Sequence, residues 1–299
     1  MRAGAVTNTK AVEILDGKEV AKSVRNDLKK EVAVFTAAGH RAPGLAVVLV
    51  GDNPASELYV RNKIKACANV GIESFLRRFE KDATEEQVLA CIKELNQSDT
   101  VDGILVQLPL PDHLSEEKIL EEIDPQKDAD GLHPYNLGCL TAGVVGLRPC
   151  TPAGIITLLD FYKVPLEGAR AVVIGRSQLV GKPAALLLLE RNATVTICHS
   201  RTKNLDEVVR QADILVVAVG RSEFVPGSWI KPGAVVVDVG IHYHKSEDGG
   251  SRITGDVEFD SASEVAGKIS PVPGGVGPMT VAQLLANTVW SYKKRLNLD

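Results

Sequence analysis

Aromatic residues make up only 4% of this 299-residue chain, and it has just six histidines and five cysteines. The cysteines stand at Cys67, Cys91, Cys139, Cys150 and Cys198, an odd number with no CxxC pair among them. A disulfide framework and a structural zinc site are therefore both disfavoured; no metal is expected, and reduced thiols suit a cytoplasmic setting. No uninterrupted apolar run reaches the roughly 18 residues of a membrane span, so no membrane association is expected. Neither sign of charge dominates, since 34 Lys and Arg face 38 Asp and Glu for a net charge of −4. That balance argues against nucleic-acid binding by bulk electrostatics. The stretch Met1 to Asn8 lacks the apolar region of a secretory signal and is too poor in arginine for an organelle presequence. It reads as a loose tail.

What the chain does have is apolar residues, 44% of the total, beside 24% charged. That composition supports a large core, and the length favours two domains of about 100–200 residues over one. Helical spacing marks residues 20–34, 56–70 and 84–95, the last with Thr84 as cap and Gln87 three positions on. Between them lie short, β-branched, continuously apolar runs at 45–50 and 103–108, with a further strand at 75–79. Such runs suit strands buried on both faces of a parallel sheet, joined by right-handed βαβ crossovers. A connection rich in Gly and Pro, read as irregular, covers 124–152. A second series follows, with a helix at 154–162 and strands at 171–174, 194–198, 214–219 and 234–239. A last helix is expected at 280–296, capped by Thr280. The expected class is α/β: two α/β domains, the second a Rossmann-like parallel sheet, with a cleft between them. Residues 1–152 with 280–299 are assigned to the first domain and 153–279 to the second.

The second domain opens on Ala171-Val172-Val173-Ile174, which runs into Gly175-Arg176-Ser177 and on to Gly181-Lys182-Pro183 and a Leu-rich helix. Strand, glycine turn and helix in that order form a dinucleotide-binding context, in which free N–H groups of the helix N-terminus face pyrophosphate. The spacing departs from GxGxxG, since Ser177 holds the middle place. NAD-binding folds put a carboxylate about 20 residues further on to hold the ribose 2′-OH. Here the second strand ends in Cys198-His199-Ser200-Arg201-Thr202-Lys203, with hydroxyls and cations instead. A 2′-phosphate suits such a setting, so NADP is favoured over NAD.

In the first domain Tyr59-Val60-Arg61-Asn62-Lys63 sets a phenol and an ammonium four positions apart, on one face of a helix. Gln107 interrupts the apolar run Ile104-Leu105-Val106-Gln107-Leu108. A buried amide needs a specific partner. Lys127-Asp128-Ala129-Asp130-Gly131 reads either as part of the cleft or as an Asx-type turn. Pro271-Val272-Pro273-Gly274-Gly275-Val276-Gly277-Pro278-Met279-Thr280 demands a rigid path with close backbone approach, more than a linker would.

Together these motifs, with Val106-Gln107-Leu108-Pro109-Leu110-Pro111 and Pro149-Cys150-Thr151-Pro152, resemble one family from about Ile14 to Tyr292. It is the bifunctional methylenetetrahydrofolate dehydrogenase/methenyltetrahydrofolate cyclohydrolase family of the bacterial FolD type. The resemblance implies NADP-dependent oxidation of 5,10-methylene- to 5,10-methenyltetrahydrofolate in one-carbon metabolism, then hydrolysis to 10-formyltetrahydrofolate at the same site. It implies that Lys63 handles the proton of hydrolysis, Gln107 positions it, Tyr59 stacks on the aminobenzoate ring and Asp130 holds the pterin. The loop Gly274–Gly277 would close over folate. Val60, Arg61, Asn62, Val106, Leu108, Pro273, Gly275 and Val276 join the substrate segments. Gly175, Arg176, Ser177, Ser200 and Ile241 match nucleotide contacts, and Arg201 joins them on charge. The implied partners are tetrahydrofolate derivatives and a second copy of the chain, joined through the nucleotide domain. One segment departs: after Ile241 the family commonly has Asn-Arg, whereas this chain has His242-Tyr243-His244. The two histidines read as solvated rather than as metal ligands. Competing readings are a dehydrogenase without hydrolysis, which Lys63 and Gln107 argue against, and a catalytically dead NADP-binding regulator.

Overall fold

The computed structural model describes residues 11–245 and 251–298, so the expected tail at 1–8 lies outside the described residues. The chain begins with β1 (Glu13–Ile14) and α1 (Gly17–Ala37), then alternates β2 (Gly44–Val50), α2 (Pro54–Val70), β3 (Glu73–Phe79), α3 (Glu85–Gln97) and β4 (Gly103–Val106). Three helices follow, α4 (Glu116–Glu121), α5 (Pro134–Ala142) and α6 (Cys150–Phe161). The second series is β5 (Arg170–Ile174), α7 (Gly181–Glu190), β6 (Thr194–Cys198), α8 (Leu205–Val209), β7 (Ile214–Val217) and β8 (Val235–Asp238). The hairpin β9 (His242–Lys245) and β10 (Ser251–Thr254) comes next, followed by α9 (Phe259–Ser263), β11 (Lys268–Ile269) and α10 (Val276–Leu296).

Two parallel sheets result. The first has the order β3-β2-β4, and all seven residues of its central strand β2 are buried, as its unbroken apolar run requires. The second has the order β1-β11-β8-β7-β5-β6, every neighbouring pair being parallel. This is the expected two-lobed α/β architecture. One core cluster joins the lobes: Val20 of α1, Ile155 and Leu158 of α6 and Met279 of α10 pack with Val173 and Val216 of the second sheet.

Several local expectations need correction. β1 pairs with β11, so Glu13 and Ile14 belong to the sheet that the sequence placed wholly within 153–279. The helix α10 starts at Val276, with Gly275 before it. Thr280 lies inside the helix and its hydroxyl meets that of Thr151 at 2.9 Å, so it caps nothing. Pro278 does not delay the helix, because proline is tolerated in a first turn, where its missing N–H would have no partner. The region 124–152, expected to be irregular, contains α5, which has Pro134 at its start and a left-handed Gly143 after its end.

At the far end of the first sheet, Asp102 is fully buried. Its carboxylate accepts from both guanidinium arms of Arg41 (2.7 and 2.8 Å), from Arg295 of α10 (2.7 Å) and from the Gly44 N–H (2.8 Å). Removing one side of such a cluster strands the rest. Asp102→Ala should therefore lower stability by about 3 kcal/mol in urea unfolding, with a loss under about 1 kcal/mol showing that the cluster does not hold α10 to the sheet.

Candidate active site

Helix α2 is oriented by Asn53, whose side chain accepts the Ala55 and Ser56 N–H groups, and it ends at left-handed Gly71. Val60 and Cys67 turn into the core with the neighbouring Ile64. Tyr59 and Lys63, four positions apart, share the flank beside that buried stripe. Arg61 and Asn62 are exposed on the helix surface. Lys63 Nζ donates to Oε1 of Gln107 at 3.0 Å, and Gln107 Nε2 donates to the Leu108 carbonyl at 2.6 Å. The partner required by the interrupting amide is thus the lysine. Gln107 stands just past the carboxyl end of β4, its own N–H held by Val48 O at 2.9 Å. Val106, one residue earlier, is buried in the core.

The two aspartates of Lys127-Asp128-Ala129-Asp130-Gly131 divide the two readings of that motif between them. Asp128 is structural: its carboxylate accepts from the N–H groups of Gly131 (3.1 Å) and His133 (2.8 Å) and from Asn136 Nδ2 (2.9 Å). Lys127 is buried and donates to the carbonyls of Leu95, Asn96 and Ser98, closing the end of α3; burial first, then the Arg295 charge, lowers it to about 8. Asp130 instead faces Lys63. Burial pushes the Asp130 carboxyl above the usual carboxylate range against the pull of the Lys63 ammonium, with Asp128 adding to the rise and Cys150 opposing it. Cys150 is buried beside it, its thiol raised chiefly by desolvation and then by the Asp130 charge. Cys150 and Asn287, whose Nδ2 holds the Ala129 and Arg148 carbonyls at 2.9 Å each, support this corner. Neither was assigned a role from sequence, although Cys150 lies within a quoted motif.

The lobes meet around a cavity of about 470 Å³, walled by Leu108, Leu132 and Pro134 on one side and Gln178 and Leu179 on the other. The Pro-Gly-rich segment packs against the start of α1. A Cβ on Gly17 would stand 1.7 Å from the Gly275 carbonyl oxygen, so α1 and this segment approach as closely as only glycine allows. Pro273 is exposed, Gly275 and Val276 are buried, and Val276 and Gly277 form the first turn of α10 rather than a loop.

A second cavity, of about 310 Å³, opens at the carboxyl ends of β5, β6 and β7. Gly175, Arg176, Ser177 and Ser200 line it, as expected, together with His199, Leu205, Val219, Arg221 and Phe224. Ser177 Oγ accepts the N–H groups of Val180 and Gly181 at the start of α7. Gly175 has φ +132°, and a Cβ there would come 2.2 Å from the Ala218 carbonyl oxygen. Arg201 and Ile241 are exposed and outside this lining. Ile241 reaches Gly277 instead, its Cδ1 lying 3.8 Å from where a Cβ on that glycine would be. Arg221, which stacks on Phe224 at 4.4 Å, was missed. The available signal was its place after a strand, at the sheet end where ligands of such folds bind.

Both histidines after Ile241 have side-chain partners; His242 is half-buried, and His244 stays exposed as expected. His242 Nε2 lies 2.7 Å from Asp256 Oδ1, and His244 Nε2 lies 3.0 Å from Ser222 Oγ and 2.8 Å from Thr254 Oγ1. Among the described residues no group of three or more His, Cys, Asp or Glu is arranged to hold a metal ion. Interaction with the Tyr243 phenol first, then burial, pushes the Tyr59 phenol up to about 12.

A lysine-centred site in one α/β lobe, facing a lobe with a dinucleotide turn, defines a two-domain nucleotide-dependent enzyme. The family description "Tetrahydrofolate dehydrogenase/cyclohydrolase, catalytic domain" matches residues 15–130, and "Tetrahydrofolate dehydrogenase/cyclohydrolase, NAD(P)-binding domain" matches 149–296. The chain belongs to the tetrahydrofolate dehydrogenase/cyclohydrolase family. It is 55% identical to the "Bifunctional protein FolD" of Magnetococcus marinus, over 95% of this chain and 99% of that one. The crystal structure of the bifunctional FolD methylenetetrahydrofolate dehydrogenase/cyclohydrolase from Campylobacter jejuni is 47% identical with a TM-score of 0.91, covering 95% of this chain and 100% of that one. The Trypanosoma brucei FolD structure, complexed with NADP cofactor and inhibitor, is 39% identical with a TM-score of 0.90, covering 96% and 99%.

Proposed function

We propose that this chain oxidises 5,10-methylenetetrahydrofolate to the 5,10-methenyl form with NADP and hydrolyses that product to 10-formyltetrahydrofolate. The observation that carries the reading is the Lys63–Gln107 hydrogen bond of 3.0 Å beside Asp130. The chemistry supplied by bound NADP is acceptance of a hydride from the methylene carbon. The carbon left behind lies between two nitrogens whose lone pairs spread its positive charge, so this step asks the protein mainly for alignment. Tyr59 walls the aminobenzoate ring, Asp130 holds the pterin, and Leu108 with the Pro273–Gly277 segment borders the substrate. In hydrolysis water adds to the cationic carbon, and its oxygen gives up both protons as the carbonyl forms and one carbon–nitrogen bond breaks: one proton leaves to solvent, and the other must reach the departing nitrogen. Lys63 passes that proton on to the departing nitrogen, and Gln107 keeps the Nζ aimed.

The walls of the nucleotide cavity fit the group. Gly175 leaves room where a Cβ would collide, Ser177 orders the start of α7, and no carboxylate lines the cavity among the described residues. Arg176 and Arg221 provide guanidinium groups at that rim, which suits a 2′-phosphate. Arg201, in the segment after β6, is a further candidate for it. A homodimer through the nucleotide lobe is supported by β6, the last strand of its sheet, which exposes Thr194, Thr196 and Ile197. Five free cysteines support a reducing, cytoplasmic setting; among the described residues no helix is long and apolar enough to cross a membrane.

The test follows methenyl absorbance with purified protein, the methylene substrate and each nucleotide in phosphate-free buffer. NADP should be at least about tenfold more efficient than NAD, given a charge-assisted phosphate contact. An NAD preference would remove the 2′-phosphate argument. Methenyl product that accumulates without hydrolysis would mark a dehydrogenase alone, and no product with either nucleotide would mark a dead site.

A further inference from the structure

Beside the turn that lines the nucleotide cavity lies a carboxylate that no part of the chemistry above employs. Asp256 is fully buried. Its Oδ2 accepts the backbone N–H groups of Val219 (2.6 Å) and Gly220 (3.0 Å), and its Oδ1 accepts that of Arg221 (2.9 Å). His242 Nε2 stands 2.7 Å from the same Oδ1. A carboxylate has no hydrogen to give, so the imidazole donates. Each oxygen thus takes two donors, which fills the roughly four acceptor positions a carboxylate offers. The packing is close, since a Cβ on Gly240 would lie 2.3 Å from Oδ1.

These bonds decide what the turn after β7 presents to the cavity. Three successive N–H groups are taken up by Asp256, so recognition on this wall falls to side chains. Val219 and Arg221 line the cavity, and the Arg221 guanidinium stacks at 4.4 Å on Phe224, which lines it too. Ser222, next in the chain, ties the same turn to the β9–β10 hairpin through His244 (3.0 Å) and Thr254 (2.8 Å). His242 opens that hairpin, at the place where the chain departs from the Asn-Arg of its family.

We propose that His242 is a positioning residue of the nucleotide site: its imidazole completes the donor shell of Asp256, which holds the 219–221 turn and sets the Arg221 guanidinium against the bound nucleotide. The proposal rests on the reading of that cavity as the NADP site. Without the imidazole a fully buried oxygen lacks one of its donors, and the turn shifts to replace it. A wall ordered beforehand spares the nucleotide the cost of ordering it, so the effect belongs to NADP binding and not to the chemical step.

The experiment measures NADP binding by isothermal titration in the folate-free protein. It compares His242→Leu, His242→Gln, Arg221→Leu and the double variant His242→Leu with Arg221→Leu. Thermal melts check folding, and His242→Ala takes the place of the leucine variant if leucine unfolds the hairpin. His242→Leu should weaken NADP binding about tenfold, the worth of one hydrogen bond to a charged group. Its KM for NADP should rise in step, while kcat at saturating NADP stays within about twofold. Amide hydrogen exchange at Val219, Gly220 and Arg221 should quicken. Glutamine carries an N–H donor at nearly the reach of the imidazole Nε2, so His242→Gln should keep the affinity within about twofold of the parent. In the Arg221→Leu background the His242 change should add less than about twofold, because the two act as a unit. Additive losses, or a glutamine variant as weak as the leucine one, would overturn the proposal. So would unchanged NADP affinity in His242→Leu while Arg221→Leu loses it, an outcome that leaves the reading of the cavity standing. Unchanged affinity in Arg221→Leu would remove Arg221 from the nucleotide wall and the proposal with it.

Discussion

Lys63→Met is expected to remove the cyclohydrolase activity while leaving the dehydrogenase measurable. Methionine keeps much of the side-chain length but has no proton to give, and Gln107 Oε1 loses the donor it now meets at 3.0 Å. Positioned acid–base groups contribute about 10²–10⁴ in rate, so hydrolysis of supplied methenyltetrahydrofolate should fall by about 10³. Hydride removal draws on alignment instead, and NADPH formation should stay within about tenfold of the parent protein. The two rates are read separately by loss of methenyl absorbance and by gain of NADPH absorbance. Equal loss of both would contradict the division of labour.

The opposite split is expected from Gly175→Ala. The native φ of +132° is one that a side chain rarely adopts, and the added Cβ would meet the Ala218 carbonyl oxygen at 2.2 Å. Backbone strain of this kind costs about 1–3 kcal/mol, and the turn must also shift away from Ala218. Each 1.4 kcal/mol is tenfold in affinity, so NADP affinity should weaken by about 100-fold. Hydrolysis of supplied methenyltetrahydrofolate should persist, because Lys63, Gln107 and Asp130 all lie in the other lobe. Isothermal titration with NADP measures the first effect; unchanged affinity would show that the pyrophosphate does not approach this turn.

The sequence patterns that proved most informative were those whose physics is local. Thr84 and Gln87 form the reciprocal cap their spacing predicts, with bonds of 3.3 and 2.9 Å. The apolar run at 45–50 became a strand buried along its whole length. α10 starts four residues before the expected Thr280, since Gly277 and Pro278 are both accommodated in its first turn. β1 gave no signal, since two residues cannot display a period. In the site, an amide inside an apolar run announced that Gln107 needed a partner, but not that Lys63 would be it. Asp128 and Asp130 are chemically identical and two positions apart; only the path of the chain makes one a turn residue and the other a neighbour of Lys63. His242 and His244 read as solvated because nothing nearby in the chain announces Asp256, Ser222 and Thr254.

The chain by itself determined its class, its alternation of strands and helices, the glycine turn of its nucleotide lobe and the shared helix face of Tyr59 and Lys63. Each follows from backbone geometry over a few neighbouring residues. The tertiary structure alone decided the Lys63–Gln107 pair, the burial of Asp102 between two arginines and the entry of β1 into the second sheet. These join residues distant in sequence, where burial and the meeting of packed elements select one partner from many that composition would allow.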